Sequence, residues 1–396
     1  MKLAAIICEY NPLHNGHVEH IKYTKQTTAC DGLVCVMSGN FVQRGEPAIL
    51  DKYTRTLAAL TCGADMVIEL PTVFALGSAD IFADGAVRII NSIEDMSILS
   101  FGSESGNLSE LTQAAKNLEA ESTEYKKTIK ANLKKGFSYP KAQSSASNAV
   151  FGETFEKLIS SPNNILAIEY IKALFRYNSA VTPFTLKRLG SGYNETELMG
   201  ELDSATAIRK QVINGSWENI NSMPDNAKAL FADNYFDFSL VLQALSDICI
   251  FDIISSDPHR LKTIYDYTEG IEHRIINKAQ SYHTLEELAA NIKTKRYTLA
   301  RLKRMLLYPA LNITKNLMTA AKKCPPYINV LGVRKERKEL LARLPDNMIT
   351  RKKDIDNITD KGTLDMLKVN ITADDLYCQI TRRKKGMFFG QGMIVF

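Results

Sequence analysis

With 396 residues, 45% of them hydrophobic and 23% charged, the chain has the composition of an ordinary soluble enzyme with material for at least one large core and most readily two domains. No apolar run approaches the length of a bilayer span, and the N-terminal apolar stretch is interrupted by Glu9 with no cleavage-like region, so a cytoplasmic protein is expected. Seven scattered cysteines without a Cys-x-x-Cys pair argue against a zinc site or a disulfide framework, and the net charge of +5 is unevenly spread.

In chain order, Leu3 to Cys8 is apolar and short enough for a buried strand, Asn11-Pro12 breaks it, and Gly16 to Thr27 has helical spacing. Strand, turn and helix N-terminus in that order aim unpaired N–H groups and the positive end of the helix dipole outside the strand's carboxyl end, which suits an anion. His14 and His17 in this turn can donate N–H bonds to phosphoryl oxygens as charge develops. His20 extends the histidine series, but no other ligand pattern nearby completes a metal site.

Leu33 to Ser38 reads as the next strand, Asp51 to Cys62 as a helix, Met66 to Leu70 as a strand, Ser78 to Ile93 as a helix and Ile98 to Phe101 as a strand. This alternation predicts an α/β fold with a doubly wound parallel sheet, its ligands outside the strand carboxyl ends. Asn107 to Val150 looks mostly helical, Thr182 to Arg188 reads as a further strand, and Ser204-Ala205-Thr206-Ala207-Ile208-Arg209 opens a helix with hydroxyls and a guanidinium suited to outer phosphates.

From about Pro224 long helical patterns take over, at Phe238 to Ile254, His259 to Ala279 and Leu285 to Leu307, so a nucleotide-binding domain over 1–222 and a mostly helical domain over 223–396 are expected. The apolar end, Gly386 to Phe396, reads as a terminal strand or a packed tail. Residues 293–353 carry 17 lysines and arginines against three acids, a local net of +14, whereas 1–292 is net negative. An acidic front part followed by a basic segment fits one region for a small substrate and another gripping a polyanion such as RNA. The densest cluster holds Lys293, Arg296, Arg301, Lys303 and Arg304; as one helix it would set a basic stripe outward, with Tyr297 placed to stack on a base or to lie flat on a neighbouring element.

The turn resembles the HxGH signature of nucleotidylyl transferases, and Ser204 to Arg209 resembles a second element of that superfamily. Taken together, Glu9 to His17, Met37 to Ala48, Gly63 to Pro71, Phe101 to Glu104, Pro162 to Leu166, Ser204 to Arg209, Lys293 to Thr298 and Pro326 to Gly332 resemble the bacterial tRNA(Met) cytidine acetate ligase family. Leu13 stands where that family usually has Phe, which keeps an apolar wedge, and the far C-terminus matches least.

The resemblance implies a ligase that activates acetate with ATP as acetyl-adenylate and passes the acetyl group to the wobble cytidine of elongator tRNA(Met), with Mg²⁺ accompanying ATP through ligands the sequence does not name. It places ATP against Ile7, Cys8, Glu9, Tyr10, Asn11, Pro12, Leu13, His14, Asn15, Gly16, His17, Val18, Glu19 and His20, and against Gly102, Asn163 and Arg188, joined by Ser204, Thr206 and Arg209. No protein partner is implied. A small-molecule adenylyltransferase would use both phosphate motifs equally but leaves the basic segment unexplained. A non-enzymatic RNA-binding protein would leave the histidines, Ser204, Thr206 and Arg209 without purpose.

Overall fold

The computed structural model describes residues 1–120, 122–188, 204–215, 220–234 and 236–396. Its strands are β1 (Leu3–Cys8), β2 (Gly32–Ser38), β3 (Phe41–Val42), β4 (Glu46–Pro47), β5 (Met66–Leu70), β6 (Met96–Ser103), β7 (Thr182–Lys187), β8 (Ile328–Val333), β9 (Met348–Ile349) and β10 (Ile394–Val395). The main sheet runs β10-β8-β5-β2-β1-β6-β7, with β9 beside β8, while β3 and β4 form a separate hairpin. From β5 through β2, β1 and β6 to β7 every pairing is parallel. Helices Asn15–Thr28, Lys52–Thr61 and Ala79–Asn91 connect these strands, as the alternation predicts.

The first five strands of the parallel part follow the order third, second, first, fourth, fifth. Strand order therefore reverses between β1 and β6, and the crevice at their carboxyl ends is where such a sheet holds a ligand. Leu3, Ala4, Ala5, Leu33, Val34, Cys35 and Val36 have no solvent exposure, because both faces of these central strands are covered.

Three features go beyond the expectations. The sheet crosses residue 222: β8 pairs antiparallel with β5, from Met66 opposite Val333 to Glu69 opposite Asn329, and the terminal β10 pairs with β8. These strands cover an edge that β5 would otherwise present with unpaired backbone groups. The long helices expected over 259–279 and 285–307 are each broken. Left-handed residues Asp266, Glu269 and Gly270 separate Pro258–Thr263 from Ile271–Ala279, and Ile292 ends one helix before Thr298 caps the next through the Arg301 N–H. Finally, Phe238–Ser255, with a mean hydropathy of 1.7, is long and apolar enough by composition to cross a membrane. It buries Val241, Leu245, Cys249 and Ile253 and packs on Ile271–Ala279, Leu285–Ile292, Leu299–Leu307 and Lys361–Ile380.

Two buried charged groups join the carboxyl end of β2 to the rest. The Arg55 guanidinium, with no exposure, donates to the carbonyls of Leu50 (2.9 Å), Glu9 (2.6 Å), Ser38 (3.0 Å) and Gly39. Lys52 Nζ donates to both oxygens of Glu69 at 3.0 Å and to Asp374 at 2.6 Å, while Asn40 and Asn329 donate to Asp374 and Glu69. Gly39 belongs to this packing, since a Cβ there would lie 2.3 Å from a Glu69 oxygen.

Burial, aided by the neighbouring Glu69 and opposed by the Lys52 ammonium, pushes the Asp374 carboxyl up to about 7. A carboxyl whose folded pKa is raised stabilises the fold most below its unfolded pKa of about 3.9, and that contribution is lost as pH rises through about 7. Asp374→Asn should therefore gain stability relative to the parent as pH rises from about 4 to about 7. Urea unfolding of both proteins across that range checks it, and a pH-independent difference would contradict it.

Candidate nucleotide site

The cavity at the β1/β6 crevice is lined by the end of β1, the following turn, the helix Asn15–Thr28, the end of β6 and the helix Ala205–Ile213. Its geometry starts at His14. The residue is extended, caps the helix Asn15–Thr28, and donates its backbone N–H to His17 Nδ1 at 3.3 Å. Since His17 Nδ1 accepts, the His17 proton sits on Nε2 and is available to a ligand. The two rings stack with centroids 3.7 Å apart, and Tyr10 meets His17 edge-on at 4.9 Å.

Gly16 is explained by this stack, because a Cβ there would crowd the His14 ring at 3.1 Å. Among the described residues His14 Nδ1 is buried without a hydrogen-bond partner, which marks it as a group awaiting one. Burial lowers all three imidazoles, aided by Arg188: His14 and His20 to about 3, His17 well below its ordinary value. They are neutral N–H donors at physiological pH rather than cations.

Arg209 donates to the Asn11 carbonyl at 2.8 Å and to Thr206 Oγ1 at 3.3 Å, so the second motif is docked on the first turn. Ser204 caps its helix through the Ala207 N–H. Burial raises the Glu9 carboxyl against the pull of the Gln43 N–H, which donates to it at 2.8 Å, and of Arg209, Arg44 and Arg55. Glu104 fills the start of the helix Pro162–Arg176, accepting from the Asn163 and Asn164 N–H groups and, at 2.8 Å, from the Asn163 side chain.

Of the expected ATP contacts, Ile7, Cys8, Glu9, Tyr10, Asn11, His14, His17, His20, Gly102, Asn163, Arg188, Ser204, Thr206 and Arg209 line one cavity. Pro12, Leu13, Asn15, Gly16, Val18 and Glu19 lie outside that lining. Leu13 is in the core, Asn15 bonds the carbonyls of Asn221 and Ser222, and Glu19 pairs with Lys22 on the surface. Gly102 leaves room for Arg188, whose Cγ would be 3.0 Å from a Cβ at 102. The cavity also takes Ile6, Gln43, Arg44, Phe82, Phe101, Leu166, Tyr170 and Ala205, of which Gln43 and Arg44 lie in the stretch just after β2 that resembles the family.

The basic cluster is placed differently from a free stripe. Lys293 and Arg296 are exposed, Arg296 pairing with Glu269. Arg301 forms a two-pronged pair with Asp266 at 2.6 Å and lies over the ring of Tyr297, which is itself buried. Lys303 pairs with Glu46 at 2.8 Å and with Glu286, and Arg304 donates to the Gln43 carbonyl at 3.1 Å. Three of the five cations thus fasten the helix Leu299–Leu307 to its surroundings, two of them to the β3–β4 hairpin.

A strand-order reversal, a histidine-lined turn at a helix start and a docked Ser-x-Thr-x-x-Arg helix define a nucleotidylyl-transferase site. The model of the HIGH nucleotidyl transferase family matches residues 1–388. The tRNA(Met) cytidine acetate ligase of a Thermoanaerobacter species is 40% identical over 386 residues, and that of Clostridium perfringens 39% over 388, each match covering 95% of both chains. Crystal structures of Thermotoga maritima TmcAL, apo and bound with alpha-thio ATP, superpose with TM-scores of 0.91 and 0.90 at 29% and 28% identity, covering both chains fully. The chain belongs to the tRNA(Met) cytidine acetate ligase family.

Proposed function

We propose that the protein is an ATP-dependent acetate ligase acting on the wobble cytidine of elongator tRNA(Met). The observation that carries the chemistry is the pair of neutral, stacked imidazoles at the head of a helix, flanked by Arg188 and Arg209 in one cavity. Acetate is a poor acyl donor. Attack of its oxygen on the α-phosphorus of ATP forms acetyl-adenylate and expels pyrophosphate; the cytidine amine then attacks the acetyl carbonyl, loses a proton and expels AMP.

In the first step His17 Nε2–H and the His14 ring donate to phosphoryl oxygens as charge develops, and the two guanidiniums hold the outer phosphates. Mg²⁺ fits as a companion of ATP, held mainly by phosphate and water. Glu9 is the one carboxylate lining the cavity among the described residues, and no described group of three acids, histidines or cysteines forms a metal cluster. ATP and tRNA as substrates imply a cytoplasmic location. Residues 1–222 supply the nucleotide chemistry in this reading, and the basic 293–353 region gives the RNA its attraction, with Lys293 and Arg296 on its open surface.

A small-molecule adenylyltransferase is set apart by one assay. Acetate should drive exchange of labelled pyrophosphate into ATP without RNA, and adding tRNA(Met) should then consume the acetyl-adenylate. Exchange driven by another acid and indifferent to tRNA would select the alternative.

A further inference from the structure

Next to the nucleotide cavity lies a second cavity of about 500 Å³, within the ~300–1,000 Å³ range of ligand pockets. Pro47, Ile213, Phe238, Leu242 and Leu245 give it apolar walls. Its charged groups are Arg209, Glu46, Glu286 and Lys303, the last pairing with both carboxylates.

Two features join the cavities. Arg209 lines both of them. The β3–β4 hairpin stands between them, with Gln43 and Arg44 lining the nucleotide side and Gly45, Glu46 and Pro47 the other. This partition is fixed in place: Gly45 has φ +77, and a Cβ there would lie 2.6 Å from the Arg304 backbone nitrogen, so the hairpin tip is packed directly on the helix Leu299–Leu307.

Acyl transfer requires the attacking nitrogen and the acetyl carbon to approach within ~3–3.5 Å. The acceptor must therefore enter through a space that shares a wall with the nucleotide cavity, and the apolar cavity does. Its walls suit the face of a base taken out of its stack, while carboxylates accept from the exocyclic amine that distinguishes cytosine from uracil. We propose that this cavity receives the acceptor itself, one unstacked cytosine nucleotide of single-stranded RNA, its base against Phe238 and Leu242 and its amine towards Glu46 on the hairpin that divides the two cavities. The assignment rests on the ligase reading above.

The test fills the pocket. In Leu242→Trp the ratio of acetyl transfer to acetate-dependent pyrophosphate exchange should fall by about 50-fold or more, since an occupied pocket denies the acceptor its near-attack position. A parental ratio would overturn the pocket while leaving the ligase reading intact. Failure of the parent protein to acetylate tRNA at all would instead overturn the ligase reading. A second measurement needs no variant: an anticodon stem-loop RNA with 5-bromocytosine at the acceptor position, irradiated on the parent protein, should crosslink to a peptide containing residues 238–246. Crosslinks confined to other segments would place the acceptor elsewhere.

Discussion

His17→Ala is expected to lower acetate-dependent pyrophosphate exchange by about 10²–10³-fold, the loss found when one preorganised donor to a developing oxyanion is removed. The expectation follows from a single hydrogen bond. Because His17 Nδ1 accepts the His14 backbone N–H, the ring is fixed in the tautomer that turns a proton outward. Because His17 also accepts the His14 backbone N–H at the helix start, the variant's urea midpoint is measured beside its rate, and a loss of exchange in a folded protein is the expected result.

The same site predicts a pH signature. Imidazoles whose folded pKa values lie near 3 do not titrate during catalysis near neutrality, so the exchange rate should show no histidine step between pH 5.5 and 8. Their effect on stability has the opposite sign to that of Asp374. The unfolded chain binds protons below about 6.5 while the folded site stays neutral, so these histidines weaken the fold as pH falls below that value. An unchanged exchange rate in His17→Ala, or a rate that tracks an ionisation near 6.5, would remove the neutral-donor role.

The second large effect concerns stability. Arg55→Met should cost roughly 3–5 kcal/mol, because removing a buried charged donor strands the carbonyls that it serves. Glu9, Ser38, Gly39 and Leu50 would all lose that partner in a site that water does not reach. With typical stabilities of only ~5–15 kcal/mol, the shift should be plain in a urea midpoint. Arg55→Lys should not restore it, since one ammonium cannot span four acceptors arranged for a planar fork. A midpoint within experimental scatter of the parent would show that the loop ends are held by other contacts.

Arg55 also shows what the sequence can and cannot reveal. The strands Leu3–Cys8, Gly32–Ser38 and Met66–Leu70 were legible because a strand covered on both faces is a short apolar run with breakers at its ends. An arginine inside the amphipathic pattern of Lys52–Thr61 looks like any surface cation, since its partners are backbone carbonyls from four other positions. The same holds for Lys303, whose partner Glu46 lies 257 residues away; counting charges in 293–353 gave the sign of the region but not which cations were already engaged.

At the site, the histidine turn and the Ser204–Arg209 helix start were readable because chemistry is written there in local spacing. Gln43 and Arg44 were not assigned to the cavity, since the β3–β4 hairpin reaches it only through the fold, and β8 escaped notice because its antiparallel pairing with β5 joins segments some 260 residues apart.

Acetate itself, not a thioester, is the acyl source for the cytidine of tRNA(Met). The direct measurement is mass spectrometry of nucleosides from tRNA(Met) incubated with the protein, ATP and isotopically labelled acetate, with acetyl-CoA absent. One labelled acetyl group on the wobble cytidine and one AMP released for each are expected. Cytidine left unlabelled while AMP-linked products accumulate would contradict it.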